Sequence, residues 1–270
     1  MLARFAGLNP ILQAFLAGCF TWGLTALGAG GVFLSREINR RTLDGMLGFA
    51  GGIMIAASFW SLLLPAVELS GSTGLQACIP AAIGFIAGGI CLRGLDSLLP
   101  HLHPGYPPSR AEGPSSSLHR TTLLVIAITM HNIPEGLAVG VAFGAVATGL
   151  SHESLGAAIA LTLGIGLQNF PEGFAVSVPL AGEGYSRIRS FWYGQLSAVV
   201  EPLAAVFGAT VVFIAQPLLP YALAFAAGAM IFVVGEAVIP ESQMHGNTDI
   251  ATMSLLVGFV TMMVLDVTFS

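Results

Sequence analysis

Residues 129–140 read TMHNIPEGLAVG, and residues 167–178 read LQNFPEGFAVSV. Both stretches lie inside long apolar runs, and both carry residues that such runs exclude. The first holds His131, Asn132 and Glu135; the second holds Gln168, Asn169 and Glu172. An ionisable group near the centre of a bilayer costs at least about 2.5–3.5 kcal/mol on insertion scales, so each needs a partner or a task. The spacing is helical. His131 and Glu135 are i,i+4, Asn132 and Glu135 are i,i+3, and Gln168 and Asn169 repeat both relations to Glu172. Each motif therefore aims three oxygen or nitrogen donors at one side of a helix.

The rest of the chain supports a membrane setting for these runs. Of 270 residues, 55% are hydrophobic and 9% charged, and the mean hydropathy is +0.84. A soluble domain carries about 25% charge. Nine basic and fourteen acidic residues cannot cover a soluble surface of this size. An ordinary cytosolic domain, a nucleic-acid binder and a disordered chain are excluded. Thirty-four glycines without a triplet period exclude collagen. What remains is an all-α polytopic membrane protein.

At roughly 20 residues per span, eight transmembrane helices are expected, at about 9–34, 43–69, 74–98, 119–149, 153–182, 188–214, 217–240 and 248–268. They form one transporter domain. The connections are short except 100–118, PHLHPGYPPSRAEGPSSSL, whose Pro, Ser and Gly content predicts a flexible cytoplasmic loop. Every basic residue is an arginine. Arg36, Arg40 and Arg41 lie between spans 1 and 2, Arg93, Arg110 and Arg120 flank the long loop, and Arg187 and Arg189 lie between spans 5 and 6. Only Arg4 falls on the other side. The positive-inside rule makes the arginine-bearing side cytoplasmic and puts both termini outside. The N-terminus shows no convincing cleavage site and reads as mature sequence. Cys19, Cys78 and Cys91 form no C-x-x-C pair and are expected to be small buried core residues.

A third acid, Glu201, stands in the apolar run VVEPL of span 6. No Arg or Lys at that depth can neutralise these carboxylates. Either a cation does so or the acids are protonated. Pro134 removes the helical partner of the Met130 carbonyl, Pro171 that of Leu167 and Pro202 that of Ala198. Kinked helices with spare carbonyls suit an ion-lined cavity, and the glycines after Glu135 and Glu172 allow a neighbouring helix to come close. Residues 131–141 and 168–178 agree at seven of eleven positions. Successive spans run in opposite directions, so the repeat is inverted, as in the bundles of secondary transporters. Hydrogen-bonded packing of the helices explains one amide well and three glutamates with a histidine poorly.

Carboxylate, amide and imidazole donors without thiolate suit Zn²⁺, Cd²⁺, Fe²⁺, Mn²⁺ or Co²⁺; the imidazole disfavours Mg²⁺ and Ca²⁺. Seven donors exceed the four of a structural zinc site, and two ions bridged by Glu135 and Glu172 fit the count. Many weak ligands also suit carriage, because an ion must leave as well as enter. The alternative is an intramembrane metal-dependent hydrolase. It lacks an H-E-x-x-H pair. The metal is thus expected as transported substrate, with no catalytic cofactor and no enzyme activity.

H-N-I-P-E-G followed by Q-N-F-P-E-G resembles the span-4 and span-5 signature of the ZIP (Zrt-, Irt-like) metal transporters, closest to the GufA-like bacterial branch, and the likeness extends over essentially the whole chain. The resemblance implies a binuclear centre. One site would use His131, Glu135, Gln168 and Glu172; the other would use Asn132, Glu135, Asn169, Glu172 and Glu201. Some relatives carry Asp where this chain has Asn169. The resemblance further implies import of Zn²⁺ above all across the bacterial inner (plasma) membrane, a homodimer, and an elevator-like movement of one helix set against another. It also brings Met54 of span 2 toward the first site.

Further polar residues lie away from the centre. Ser58, Ser61 and Glu68 line span 2, with Glu68 near the outer end, where it would attract cations. Asp266, near the outer end of span 8, is a second entrance candidate. Asp96, His101 and His103 stand at the cytoplasmic end of span 3 and in the loop, placed to receive or sense metal. Glu236 and Glu241 are five apart in span 7 with His245 four beyond, and Glu241 with His245 are expected to share an exit site.

Overall fold

The computed structural model describes residues 2–34, 39–70, 73–102, 109, 111–148 and 154–269. Among them twelve α-helices form: α1 (Leu2–Ala6), α2 (Pro10–Ala29), α3 (Arg40–Ala57), α4 (Leu64–Glu68), α5 (Leu75–Leu98), α6 (Arg120–Val146), α7 (Leu155–Gly182), α8 (Arg187–Leu196), α9 (Val200–Ile214), α10 (Leu219–Val233), α11 (Ile239–Gln243) and α12 (Thr248–Phe269). Side-chain oxygens cap several starts. Asn9 accepts from Ile11 N, Asn39 from Arg41 N and Ser154 from Ala157 N, at 2.8, 2.9 and 2.9 Å. A wide π turn joins α3 to α4 at Ser58–Leu63, and another joins α10 to α11 at Val234–Val238. Pro65 and Pro240 follow these turns. A proline offers no N–H to the preceding turn, and the π geometry absorbs the lost bond.

Among the described residues, seven helical segments are long and apolar enough to cross a membrane: Pro10–Phe33, Arg40–Glu68, Leu75–Leu98, Thr121–Val146, Arg187–Ile214, Gln216–Gln243 and Thr248–Phe269. α7 has 28 residues but is not among the seven. Gln168, Asn169 and Glu172 lower its hydropathy. The outward faces of α5 and α12 are apolar and exposed, as at Ile86, Ile90, Val257 and Val264, which is the surface a lipid solvent calls for.

That setting corrects the expectation for the cysteines. Cys78 and Cys91 are exposed and Cys19 is half-buried. In a bilayer an apolar run need not be core, because lipid is as apolar as the protein interior.

The helices pack as two groups. α3, α4, α5, α10, α11 and α12 make one, with α3 on α12 and α5 on α10 as its largest contacts. α2, α6, α7, α8 and α9 make the other, with α6 on α9 and α2 on α7. Inside each group, glycines face carbonyl groups of the neighbouring helix, so backbones meet directly. α7 touches α3 and α12 across the boundary, and α6 touches α10. There side chains intervene, as where Met262 fills the space over Gly164.

Two local expectations change. The sixth apolar stretch is not one kinked helix. It breaks at 197–199, and α9 starts at Val200. Ala198 O is not left free, because Glu201 N donates to it at 3.0 Å. Pro202 falls in the first turn, where a missing N–H costs nothing. The long connection is also tied down where it is described. His101 N donates to Glu112 O at 3.1 Å and Glu112 N to His101 O at 2.9 Å; Leu102 N donates to Leu123 O at 3.3 Å. Leu102 is fully buried against Leu123 and Leu124, which holds this part of the segment against α6.

Candidate metal centre

α6 carries His131, Asn132 and Glu135; α7 carries Gln168, Asn169 and Glu172; α9 begins one residue before Glu201. Two glycines let these elements converge. A Cβ on Gly136 would collide with the backbone of Glu201, and one on Gly173 would overlap the Thr25 carbonyl of α2. The P-E-G triplets thus seat each glutamate where a second helix backbone comes closest. The break before α9 sets Glu201 in a first helical turn, where the helix dipole complements negative charge.

Asn132, Glu135, Gln168, Asn169 and Glu201 are all 0% exposed. His131 and Glu172 are half-buried and line one cavity, which Leu47 and Ala50 of α3, Val238 and Glu241 also border. Gln168, Glu172 and Glu201 face Glu135. Within this cluster, six buried polar atoms have no hydrogen-bond partner among the described residues: Asn132 Oδ1 and Nδ2, both oxygens of Glu135, Gln168 Oε1 and Glu172 Oε2. An unmade bond at a buried polar atom costs about 1–3 kcal/mol. Five of the six are oxygens that accept, which a cation or a proton donor would satisfy.

The second half of the cluster is satisfied internally. Asn169 Nδ2 donates to Glu201 Oε1 and Oε2 at 2.8 and 2.9 Å and to Thr21 O at 3.3 Å. Gln168 Nε2 donates to Asn169 Oδ1 at 2.7 Å. Asn169 therefore holds Glu201 in place, and its own oxygen is engaged. A neutral amide can do this; a carboxylate at that position would offer Glu201 no N–H.

The outlying candidates divide. Met54 is fully buried in the apolar core, and Ser58 Oγ donates to Met54 O at 2.7 Å, so the Ser58 hydroxyl is spent on its own helix. Ser61 Oγ donates to Asp266 Oδ1 at 2.7 Å, both residues being buried, while Glu68 is exposed at the end of α4. His101 is fully buried. Its Nε2 lies 2.7 Å from Asp96 Oδ1 and its Nδ1 2.9 Å from Leu99 O, and Arg93 Nη1 donates to Asp96 Oδ2 at 2.9 Å. Asp96, His101 and Glu112 each offer a donor atom within 4.8 Å of the others, and Glu236 faces this group. His103 lies outside the described residues. Glu241 and His245 are linked through Arg40 and Asp44: Arg40 Nη2 is 3.9 Å from Glu241 Oε1, and His245 Nδ1 is 3.8 Å from Asp44 Oδ1. Burial and the Arg40 guanidinium hold the His245 imidazole below its usual range.

Thr21, Asp44 and Glu112 were not among the sequence candidates. Thr21 offers its carbonyl to Asn169 and its side chain to Glu201, and no spacing in the sequence announces either contact. Asp44 had a usable signal, its i,i+4 spacing from Arg40. Glu112 meets His101 through a pairing across a loop that no periodicity announces.

The ZIP zinc transporter family model matches residues 104–266. The chain is similar to zinc transporter ZIP11 of Bos taurus, at 45% identity covering 97% of this chain and 98% of that one. It is similar to zinc transporter GufA of Myxococcus xanthus, at 39% identity over 95% and 97%, and to zinc transporter ZIPB of Bordetella bronchiseptica, at 39% over 94% and 80%. A cluster of buried, cation-seeking donors on apolar helices and full-length likeness to these proteins lead to one conclusion: the chain belongs to the ZIP zinc transporter family.

Proposed function

We propose that this protein carries Zn²⁺ into the cytoplasm through a two-ion centre between α6, α7 and α9. As a ZIP family member it is an integral-membrane metal transporter and not an enzyme, and the hydrolase reading is set aside on that ground. The observation that carries the centre is the set of six buried polar atoms without partners on Asn132, Glu135, Gln168 and Glu172. The first ion takes His131, Glu135, Gln168 and Glu172. The second shares Glu135 and Glu172 and adds Asn132, Asn169 and Glu201. To reach the second ion, the Asn169 oxygen must give up the Gln168 N–H that it accepts, so that site fills less readily.

α7 is the eighth span in this reading, and its polar motif is the cargo site. The lack of thiolates admits Cd²⁺, Fe²⁺, Mn²⁺ and Co²⁺ as lesser cargo. Transport proceeds by sliding the α2/α6/α7/α8/α9 group against the other. Support comes from direct backbone packing inside each group and side-chain packing between them, because the latter interface is the one that can shift without breaking close backbone contacts. The arginine bias supports extracytoplasmic termini; a homodimer in the bacterial inner membrane follows from the family resemblance. Asp266 and Glu68 serve entry, and Asp96, His101, Glu236 and Glu241 serve exit.

The test is zinc uptake into proteoliposomes loaded with a metal-sensitive dye. Glu172→Ala is expected to abolish uptake while the protein stays monodisperse in detergent. Uptake near the wild-type rate would remove Glu172 from the mechanism.

A further inference from the structure

Where the cavity meets the arginine-bearing end of the helices, a second group of charges stands apart from the centre. Asp44 of α3 is 0% exposed. Arg40, one turn earlier, places Nε 3.1 Å from Asp44 Oδ1 and Nη2 3.9 Å from Glu241 Oε1. The guanidinium thus spans carboxylates from α3 and α11. Asn247 Nδ2 donates to Asp44 Oδ2 at 2.9 Å, which fixes Asp44 from the start of α12. Glu241 also lines the cavity that reaches His131 and Glu172 on the opposite wall. An ion that leaves Glu172 along this cavity meets Glu241, and Glu241 already has a cation beside it.

We propose that Arg40 is a tethered counter-cation of the exit route: anchored on Asp44, it competes with the departing divalent ion for Glu241 and so sets how quickly that ion is released. The inference rests on the transport reading above. Its physical basis is the conflict between tight capture and release. A bare carboxylate on the exit wall would hold a divalent ion, and conduction requires sites weak enough to leave. A guanidinium suits the role because it never deprotonates in this setting. The two contacts are unequal. At 3.1 Å the Asp44 contact is close; at 3.9 Å the Glu241 contact is beyond hydrogen-bond length and is the one a metal displaces. Arg40 is 33% exposed, with its Nε and Nη2 buried against the two carboxylates.

The test uses the full-length chain in two assays. Zinc bound at equilibrium is measured in a Glu172→Ala background, so that the centre is disabled and the exit wall is read alone. Adding Arg40→Gln is expected to raise binding by one ion per chain, and adding Glu241→Gln as well is expected to remove that ion. In proteoliposomes, Arg40→Gln in the otherwise native chain is expected to lower kcat and KM together, each by about tenfold, and Arg40→Lys to restore both. Arg40→Met, which keeps the packing of the aliphatic stem, replaces Arg40→Gln if the latter melts early. Unchanged binding and kinetics, an extra ion that survives Glu241→Gln, or Arg40→Lys behaving like Arg40→Gln would each overturn the proposal. Uptake that persists in Glu172→Ala alone counts against the centre instead, so the two failures are distinguishable.

Discussion

Glu135 and Asp44 are both carboxylates with no exposed surface, yet they are surrounded in opposite ways. Asp44 has the Arg40 guanidinium at 3.1 Å and the Asn247 amide at 2.9 Å. Glu135 has two further carboxylates and an amide facing it at close range, and no hydrogen bond of regular geometry reaches either of its oxygens within the described residues. In the first arrangement the charge is paired, although Asp44 Oδ1 and Arg40 Nε meet as an ion pair rather than as a hydrogen bond. A buried pair of that kind resists loss of either member. The second lacks positive charge, and three acids share that lack. The contrast separates a paired structural charge from the proposed transport site without reference to any motif: there the residues do not balance their own charge.

The contrast breaks most visibly at Glu135. Glu135→Gln is expected to reduce zinc uptake at least about 100-fold. In metal-free detergent its melting temperature should equal or exceed that of the native chain, because an uncompensated buried acid has been removed, and zinc should no longer raise it. A lower melting temperature would mean that Glu135 has a protein partner. Asp44→Asn should do the reverse. It leaves Arg40 facing a neutral amide, and a loss of about 2 kcal/mol in stability is expected, below the full buried-pair value because Arg40 is partly exposed. Calorimetry of the metal-free protein checks this.

A milder probe is pH. Carboxylate and imidazole ligands bind metal only when deprotonated, so zinc affinity should fall as pH falls, by about tenfold or more from pH 8 to pH 5. A flat affinity over that interval contradicts ligation by Glu135, Glu172 and His131. Asn169→Asp sharpens the comparison inside the centre itself. It replaces the N–H that now serves Glu201 with a further anionic ligand, and should tighten the weaker ion about fivefold while slowing release. Titration calorimetry and uptake kinetics read the two effects. Ser58→Ala is the smallest change: its hydroxyl is bound to the Met54 carbonyl, a local helix bond of little consequence, and uptake should stay within about twofold of native.

Much of this was legible from sequence. Charge starvation and 55% hydrophobic content leave only an all-α membrane architecture, and ionised side chains in apolar runs are conspicuous wherever they occur. The helical spacing of His131, Asn132 and Glu135 fixed the face they share. It could not fix which donors are already engaged: Asn169 also holds Glu201 through its N–H. Pro202 reads identically as a kink or as the first turn of a new helix; only the position of the break at 197–199 decides. Asp44 and Arg40 lie at a span end, where charges are ordinary, and their importance comes from α11 and α12 folding back beside them. Cys78 and Cys91 were misjudged because hydropathy does not distinguish a face turned to lipid from one turned to protein.

The central claim is that a divalent ion completes the charge around Glu135 and Glu172. Anomalous diffraction from zinc-soaked crystals, recorded above and below the zinc edge, tests it directly. The expected map has a peak bridging the two carboxylates, with His131 and Gln168 among its ligands. A map with no peak there, and with Glu135 hydrogen-bonded to neighbouring side chains in its place, would contradict the account.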